Sequence, residues 1–355
     1  MERGNLYFYG PSVPISSYKF LFQNTEATMT DKIRWGILGT GVIAHKFATG
    51  LTFLPDAELV AVGSRTAATA QAFGERFKVP HRHTSYADLA HDPDVDVIYV
   101  STPHPLHRAN SLLCLEAGKA VLCEKPFTIN AAEAEQLMTF ARDQGLFLME
   151  AMWTRFLPVA IKMRQLLAEG VIGDLRMLMA DLGFRAEFDP KGRLFDPDLG
   201  GGALLDVGVY PISLASWLFG PPTQVTSLAH LGQTGVDEQT AILLGYEQGQ
   251  LAILAGAVRT ETPTHAILMG TQGRIQLHPP IYYPPRLTLS LPGQPDEVIE
   301  LPSEGNGYNY EAAEVMRCLR AGLLESDTMP LAETLSIMQT MDTIRAPWGL
   351  KYPTE

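Results

Sequence analysis

From Ile33 onward, short runs of apolar and β-branched residues alternate with amphipathic stretches. That rhythm predicts right-handed βαβ units around a parallel sheet. The runs at 33–38, 59–64, 97–101, 120–123 and 146–149 are predicted strands. The helices before the last two end at Gly118 and Gly145, since glycine enters the left-handed C-cap conformation without a Cβ penalty. After Phe127, Asn130 with Glu133 three residues on reads as a helix cap, and Ala134, Leu137, Met138 and Ala141 form one apolar stripe that should cover the sheet.

Beyond Trp153 the pattern changes. A helix is predicted over 157–168, then strands over 174–182, 226–231, 240–246, 251–258 and 266–270. Turns such as 247–249 and 271–273 separate strands at hairpin distances, so this half predicts a largely antiparallel open sheet. The proline-rich stretch 279–285 reads as a loop, and helices over 310–321 and 331–344 close the chain. The fold class is therefore α/β plus α+β. A doubly wound Rossmann domain over 31–152 precedes a second domain over 153–355 built on this open sheet, whose last helix is expected to pack back on the first domain. Residues 1–30 are set apart as an extension. Asn5-Leu6-Tyr7-Phe8-Tyr9-Gly10 resembles a protease-cleavage linker, and Met29 offers an alternative start.

Composition narrows the function. A chain of 355 residues that is 46% hydrophobic can bury two cores. A net charge of -12 argues against nucleic acid or an anionic membrane as partner, which are met by clustered Lys and Arg. Three cysteines, Cys114, Cys123 and Cys318, have no metal-ligand or redox spacing, so no metal is expected and a reducing cytoplasm suits the chain. No apolar run is read as approaching a membrane span, and the start lacks the pattern of a secretion signal.

Gly39-Thr40-Gly41-Val42-Ile43-Ala44 follows the first strand and opens a helix, the context a dinucleotide fingerprint requires. Gly39 makes the turn, Gly41 lets a pyrophosphate approach the helix N-terminus, and Ala44 allows close helix-strand packing. The second strand ends in Ser64-Arg65-Thr66, where an NAD-specific site carries an acid. Arg65 can instead fork onto a 2'-phosphate with Ser64 adding a hydroxyl, which favours NADP over NAD. A solvated loop arginine is the alternative.

Ser101-Thr102-Pro103 closes a strand at the sheet's carboxyl edge, followed by His104 and His107, which could face cofactor or substrate or could merely begin a helix. Their spacing alone makes no metal site. Glu124-Lys125-Pro126 ends the next strand and puts a lysine at the same edge. Asp206 and Tyr210, four apart, should share one helix face. Oxidising an alcohol by hydride transfer needs a base, and a phenol of pKa about 10 serves only beside a cation. Tyr210 is accordingly assigned as acid/base, Lys125 as its electrostatic partner and substrate anchor, and Asp206 as orienter of Lys125 or of a substrate hydroxyl. Taken alone, Tyr210 could equally be a core ring.

Together, the glycine loop, Glu124-Lys125-Pro126, Met149-Glu150-Ala151-Met152-Trp153-Thr154-Arg155-Phe156 and the Asp206–Tyr210 stretch resemble the glucose-fructose oxidoreductase/inositol dehydrogenase/MocA family over nearly everything after Met29. The likeness is greatest to its dimeric dihydrodiol dehydrogenase and NADP-dependent D-xylose dehydrogenase branch. It implies that Lys125 and Tyr210 are a catalytic pair, that Arg65 meets the 2'-phosphate, and that Trp153 walls the pocket for a small polyhydroxylated substrate. It also implies a homodimer paired through the open face of the second sheet. Arg185, with Phe184, is a candidate substrate contact just past a strand. Two other readings stay open: a keto-sugar reductase or sugar–sugar oxidoreductase of the same fold, and a catalytically silent dinucleotide sensor.

Overall fold

The computed structural model describes residues 32–355, and the N-terminal extension, with Asn5–Gly10 and Met29, lies outside them. The first sheet is parallel, with strands β1 (Ile33–Leu38), β2 (Ala57–Gly63), β3 (His81–His83), β4 (Val97–Val100), β5 (Ala120–Glu124) and β6 (Leu148–Ala151) in the order β3-β2-β1-β4-β5-β6. All four residues of β4 are buried, as expected for a strand covered by helices on both faces. The helices are α1 (Val42–Leu51), α2 (Ala67–Phe77), α3 (Tyr86–Ala90), α4 (His107–Glu116) and α5 (Ala131–Gln144). In α5 the Asn130 side chain accepts from the Glu133 N–H, and Ala134, Leu137, Met138 and Ala141 are its buried stripe. Strand order reverses between β1 and β4, so the loops after those two strands open a crevice at the carboxyl edge.

Helix α6 (Pro158–Ala168) leads into a second sheet of eight strands: β7 (Leu175–Gly183), β8 (Gln224–Leu231), β9 (Asp237–Gly245), β10 (Leu251–Ala257), β11 (Ala266–Gly270), β12 (Arg274–Leu277), β13 (Arg286–Ser290) and β14 (Glu297–Glu300). Their order is β14-β13-β12-β11-β7-β10-β9-β8, and β7 and β10 pair parallel within an otherwise antiparallel ladder. Helices α7 (Val209–Phe219), α8 (Tyr308–Arg320) and α9 (Leu331–Arg345) complete the chain. Residues 33–355 form one compact unit containing both sheets. Helix α9 reaches the first sheet's helices, where the Asp342 carboxylate accepts the N–H of Ala131 at 2.8 Å, an anion at the N-terminus of α5.

Several expectations are corrected. Strand β3 and the short strands β12, β13 and β14 are additional, and β6 begins two residues later than the apolar run. Asp206 does not lie on a regular α-helix with Tyr210: Leu204–Gly208 is a wider π-turn leading into α7. The turn packs closely on β10, since a Cβ on Gly256 would come within 3.3 Å of the Gly208 Cα. The stretch Pro197–Phe219 is long and apolar enough to cross a membrane, contrary to the reading of the sequence, but it is mostly buried and is bent by the left-handed Gly200 and Gly202.

Candidate active site

The glycine turn between β1 and α1 is shaped for an anion. Gly39 has φ of +105°, and a Cβ there would approach the Ser101 hydroxyl within 3.0 Å. A Cβ on Gly41 would point into open space, and no side chain caps the helix that Gly41 begins. The first amides of α1 and its positive dipole therefore face the crevice with no side-chain cap among the described residues. A cleft of about 880 Å³ opens from this turn and is lined by Gly41, Val42 and Ile43, by Ser101, Thr102, Pro103, His104 and His107 after β4, and by Glu124 and Lys125 after β5. These residues fit a dinucleotide, whose pyrophosphate the amides at the start of α1 would hold.

The turn after β2, Ser64-Arg65-Thr66, carries no acid. The Ser64 hydroxyl bonds those of Thr40 and Thr69 at 3.2 and 2.6 Å, Thr66 caps α2, and Arg65 is exposed just outside the cleft lining. This hydroxyl cluster and guanidinium are chemically suited to a phosphate on the ribose.

At the inner end, four elements converge. Lys125 leaves the end of β5, and its ammonium donates to the main-chain oxygen of Asp206 at 2.7 Å. The same ammonium lies 3.6 Å from the Asp206 carboxylate and 4.7 Å from the centre of the Tyr210 ring. Burial pulls Lys125 towards neutrality, but Tyr210, Asp206 and Glu124 outweigh it and hold the ammonium charged. Burial likewise raises the Tyr210 pKa, and Lys125 together with the Trp153 N–H, which donates to the phenol oxygen at 3.3 Å, opposes that rise without cancelling it. Asp206 is desolvated too, yet Lys125 and Arg193 keep it ionised well below the ordinary carboxylate range. Glu124 is buried against the Tyr99 hydroxyl and accepts the Lys125 N–H at 3.1 Å.

Arg193 was not singled out in the sequence. It reaches from the 189–196 loop to the Asp206 carboxylate with contacts of 2.7 and 3.3 Å. The cleft wall is also more aromatic than the sequence implied. Trp153 stacks on Tyr308 at 4.5 Å and lies 5.8 Å from Tyr283, while Tyr282 sits 6.2 Å from Tyr210. Gly307, at φ +92°, makes room for this stack, because a Cβ there would meet the Trp153 ring at 2.7 Å. The 279–285 loop thus contributes two tyrosines and Pro280 to the cleft.

The remaining candidates hold other bonds. His107 is fully buried with both ring nitrogens against main-chain oxygens, those of Pro126 at 2.8 Å and Thr102 at 2.7 Å, so its polar atoms hold two loops together. His104 bonds the Gly200 oxygen at 3.0 Å, and burial lowers its pKa to about 3, leaving it neutral. Arg185 is exposed and bridges to Arg259 outside the cleft lining, whereas its neighbour Phe184 does line the cleft.

Comparison with known proteins finds relatives over most of the chain. Residues 33–152 match the family described as oxidoreductase family, NAD-binding Rossmann fold, and residues 160–276 match the GFO/IDH/MocA C-terminal domain. The chain is 39% identical to trans-1,2-dihydrobenzene-1,2-diol dehydrogenase of Mus musculus, covering 91% of this chain and 99% of that one, and 37% identical to its Homo sapiens counterpart with the same coverages. Among solved structures, a 3-ketoreductase from Actinomadura kijaniata in complex with NADP and TDP-benzene superposes with a TM-score of 0.81 at 28% identity, covering 89% of this chain and 98% of that one. An aldose-aldose oxidoreductase from Caulobacter crescentus gives 0.82 at 25% identity, with coverages of 89% and 97%.

Proposed function

The chain belongs to the Gfo/Idh/MocA oxidoreductases, and on that footing we propose that it is an NADP-dependent dehydrogenase of sugars or cyclic trans-diols, moving a hydride from a secondary alcohol or hemiacetal carbon. Residues 31–152 serve the cofactor, and 153–355 serve substrate and subunit contact. The observation that carries this reading is the approach of Lys125 to within 4.7 Å of the Tyr210 ring centre, in the cleft that the glycine turn also lines.

When bound, the nicotinamide supplies the carbon that accepts or returns the hydride. The chain's own residues manage the proton. During oxidation the Tyr210 oxygen takes the proton of the substrate hydroxyl, and in reduction it gives the proton back. Lys125 favours the phenolate by its charge, and the Trp153 N–H adds a donor to the same oxygen. Asp206 holds Lys125 through its main-chain oxygen, while Arg193 balances the Asp206 carboxylate. Trp153, Tyr282, Tyr283 and Tyr308 give the cleft flat apolar walls suited to the C–H faces of a ring.

NADP preference is supported by Ser64-Arg65-Thr66 after β2 and by the NADP complex of the 3-ketoreductase relative. A homodimer is supported by the uncovered face of the second sheet, where Leu243, Ile253 and Met179 stand opposite one another on β9, β10 and β7, with Leu228 and Leu251 beside them. A second copy would take these side chains out of water.

A panel of aldoses, inositols and cyclic trans-diols offered with NADP tests the activity by nicotinamide absorbance. Reduction with at least one member is expected, and silence across the panel would favour the sensor reading.

A further inference from the structure

We propose that His81, His83 and Asp92 form a binding site for one divalent transition-metal ion of the zinc type, at the β3 edge of the first sheet and outside the cleft-lining residues. In a strand, residues two apart project on the same side, so His81 and His83 face one way from β3. Asp92 enters from the turn after α3. Its Oδ2 lies 2.7 Å from His81 Nδ1 and 2.8 Å from His83 Nε2, and the three atoms fall within 4.8 Å of one another. Two imidazoles and one carboxylate are a donor set for Zn²⁺, Co²⁺ or Ni²⁺, with solvent supplying what remains.

The carboxylate is built as a fixed post. Asp92 is 3% exposed, its second oxygen accepts the Asp94 N–H at 2.9 Å, and Lys119 donates to the main-chain oxygens of Asp92 and Val95 at 2.7 Å each. The histidines are more exposed, at 37% and 24%, and are free to open around an ion. Ligands at about 2.1 Å from a tetrahedral centre stand about 3.4 Å apart, so the two ring nitrogens need to withdraw from the Asp92 oxygen by about 0.6 to 0.7 Å. Coordination through His81 Nδ1 moves its proton to Nε2, and the Asp94 carboxylate lies 3.8 Å from that nitrogen, as a carboxylate behind a histidine ligand does. The ion would tie β3 to the 92–95 turn. Because the His83 main-chain oxygen accepts the Ser64 N–H at 3.1 Å, it would also stiffen the loop that carries Arg65.

The test uses the full chain, stripped with a chelator and titrated with CoCl₂ and separately with ZnCl₂. One ion per chain, visible Co²⁺ absorption bands of a low-coordinate site and a raised Tm are expected. His81→Gln and His83→Gln should each weaken metal binding by about tenfold or more while leaving the circular dichroism of the parent. Absence of Co²⁺ bands and of a Tm shift in the parent would overturn the proposal. So would unchanged affinity in both variants, which would place the ion elsewhere.

Discussion

The Lys125 ammonium meets Tyr210 over the face of its ring, 4.7 Å from the centre, and not at the hydroxyl. Its hydrogen bond goes instead to the Asp206 main-chain oxygen. Lys125 therefore acts on the phenol through space, while the Trp153 N–H donates to the hydroxyl of this cleft-lining residue.

Removing that charge should change the pH dependence as well as the rate. With burial already raising the Tyr210 pKa, oxidation should speed up as pH rises, because the base must lose its proton, while reduction should slow over the same range. In Lys125→Met the phenol loses the cation that opposes its rise. Its limb in kcat/KM for oxidation should then move to higher pH, with kcat down about 10² to 10³-fold at neutral pH. A pH–rate profile with an unmoved limb would show that Lys125 does not act on Tyr210.

Arg65 should separate the two cofactors. Arg65→Ala should lower kcat/KM for NADP about 10 to 100-fold, the loss expected for one or two charge-assisted hydrogen bonds, and leave the value for NAD nearly unchanged. Steady-state kinetics with both cofactors reads this directly, and parallel losses would remove its role at the 2'-phosphate.

Asp237 makes stability fall with pH. It is buried, and desolvation pushes its pKa up to about 7 although one oxygen accepts the Leu204 N–H at 2.7 Å. An unfolded aspartate loses its proton near pH about 4. Between these values the folded state holds a proton that the unfolded chain has released, so stability declines as pH rises towards 7 and this contribution is constant above it. Asp237→Asn keeps an acceptor and cannot ionise. Urea unfolding should show it losing less stability than the parent between pH 5 and pH 8.

The second sheet's open face should hold two copies together. Leu243 is 53% exposed on β9 and stands opposite Ile253 on β10. Leu243→Glu should shift sedimentation from dimer to monomer while changing the unfolding free energy of the subunit by no more than about 0.5 kcal/mol, as for a surface substitution. A parent that sediments as a monomer would refute the interface.

Much of the scaffold was legible because its signals are local. The glycine turn, the Asn130 cap and the apolar runs of β1, β4 and β5 each state their structure within a few residues. Strand β3 was not legible, because His-Arg-His is three residues of polar sequence paired on one side only. The π-turn before Tyr210 packs against Gly256, far along the chain, and the four-residue spacing of Asp206 and Tyr210 carries no sign of it. The site was legible where a residue ends a strand, as Lys125 does. Arg193, Tyr282, Tyr283 and Tyr308 come from loops and a helix start whose meeting is set by tertiary packing, although the paired tyrosines in the proline-rich loop were a signal that could have been used. His81, His83 and Asp92 likewise converge only once β3 and the turn after α3 are folded together.

The central claim is that Tyr210 moves the proton while other groups hold the cofactor. Tyr210→Phe keeps the ring against Lys125 and removes only the hydroxyl. Titrating this variant with NADPH by fluorescence, alongside turnover of the best substrate, should show binding within about twofold of the parent and kcat reduced about 10² to 10⁴-fold. Undiminished turnover in the variant would contradict the assignment.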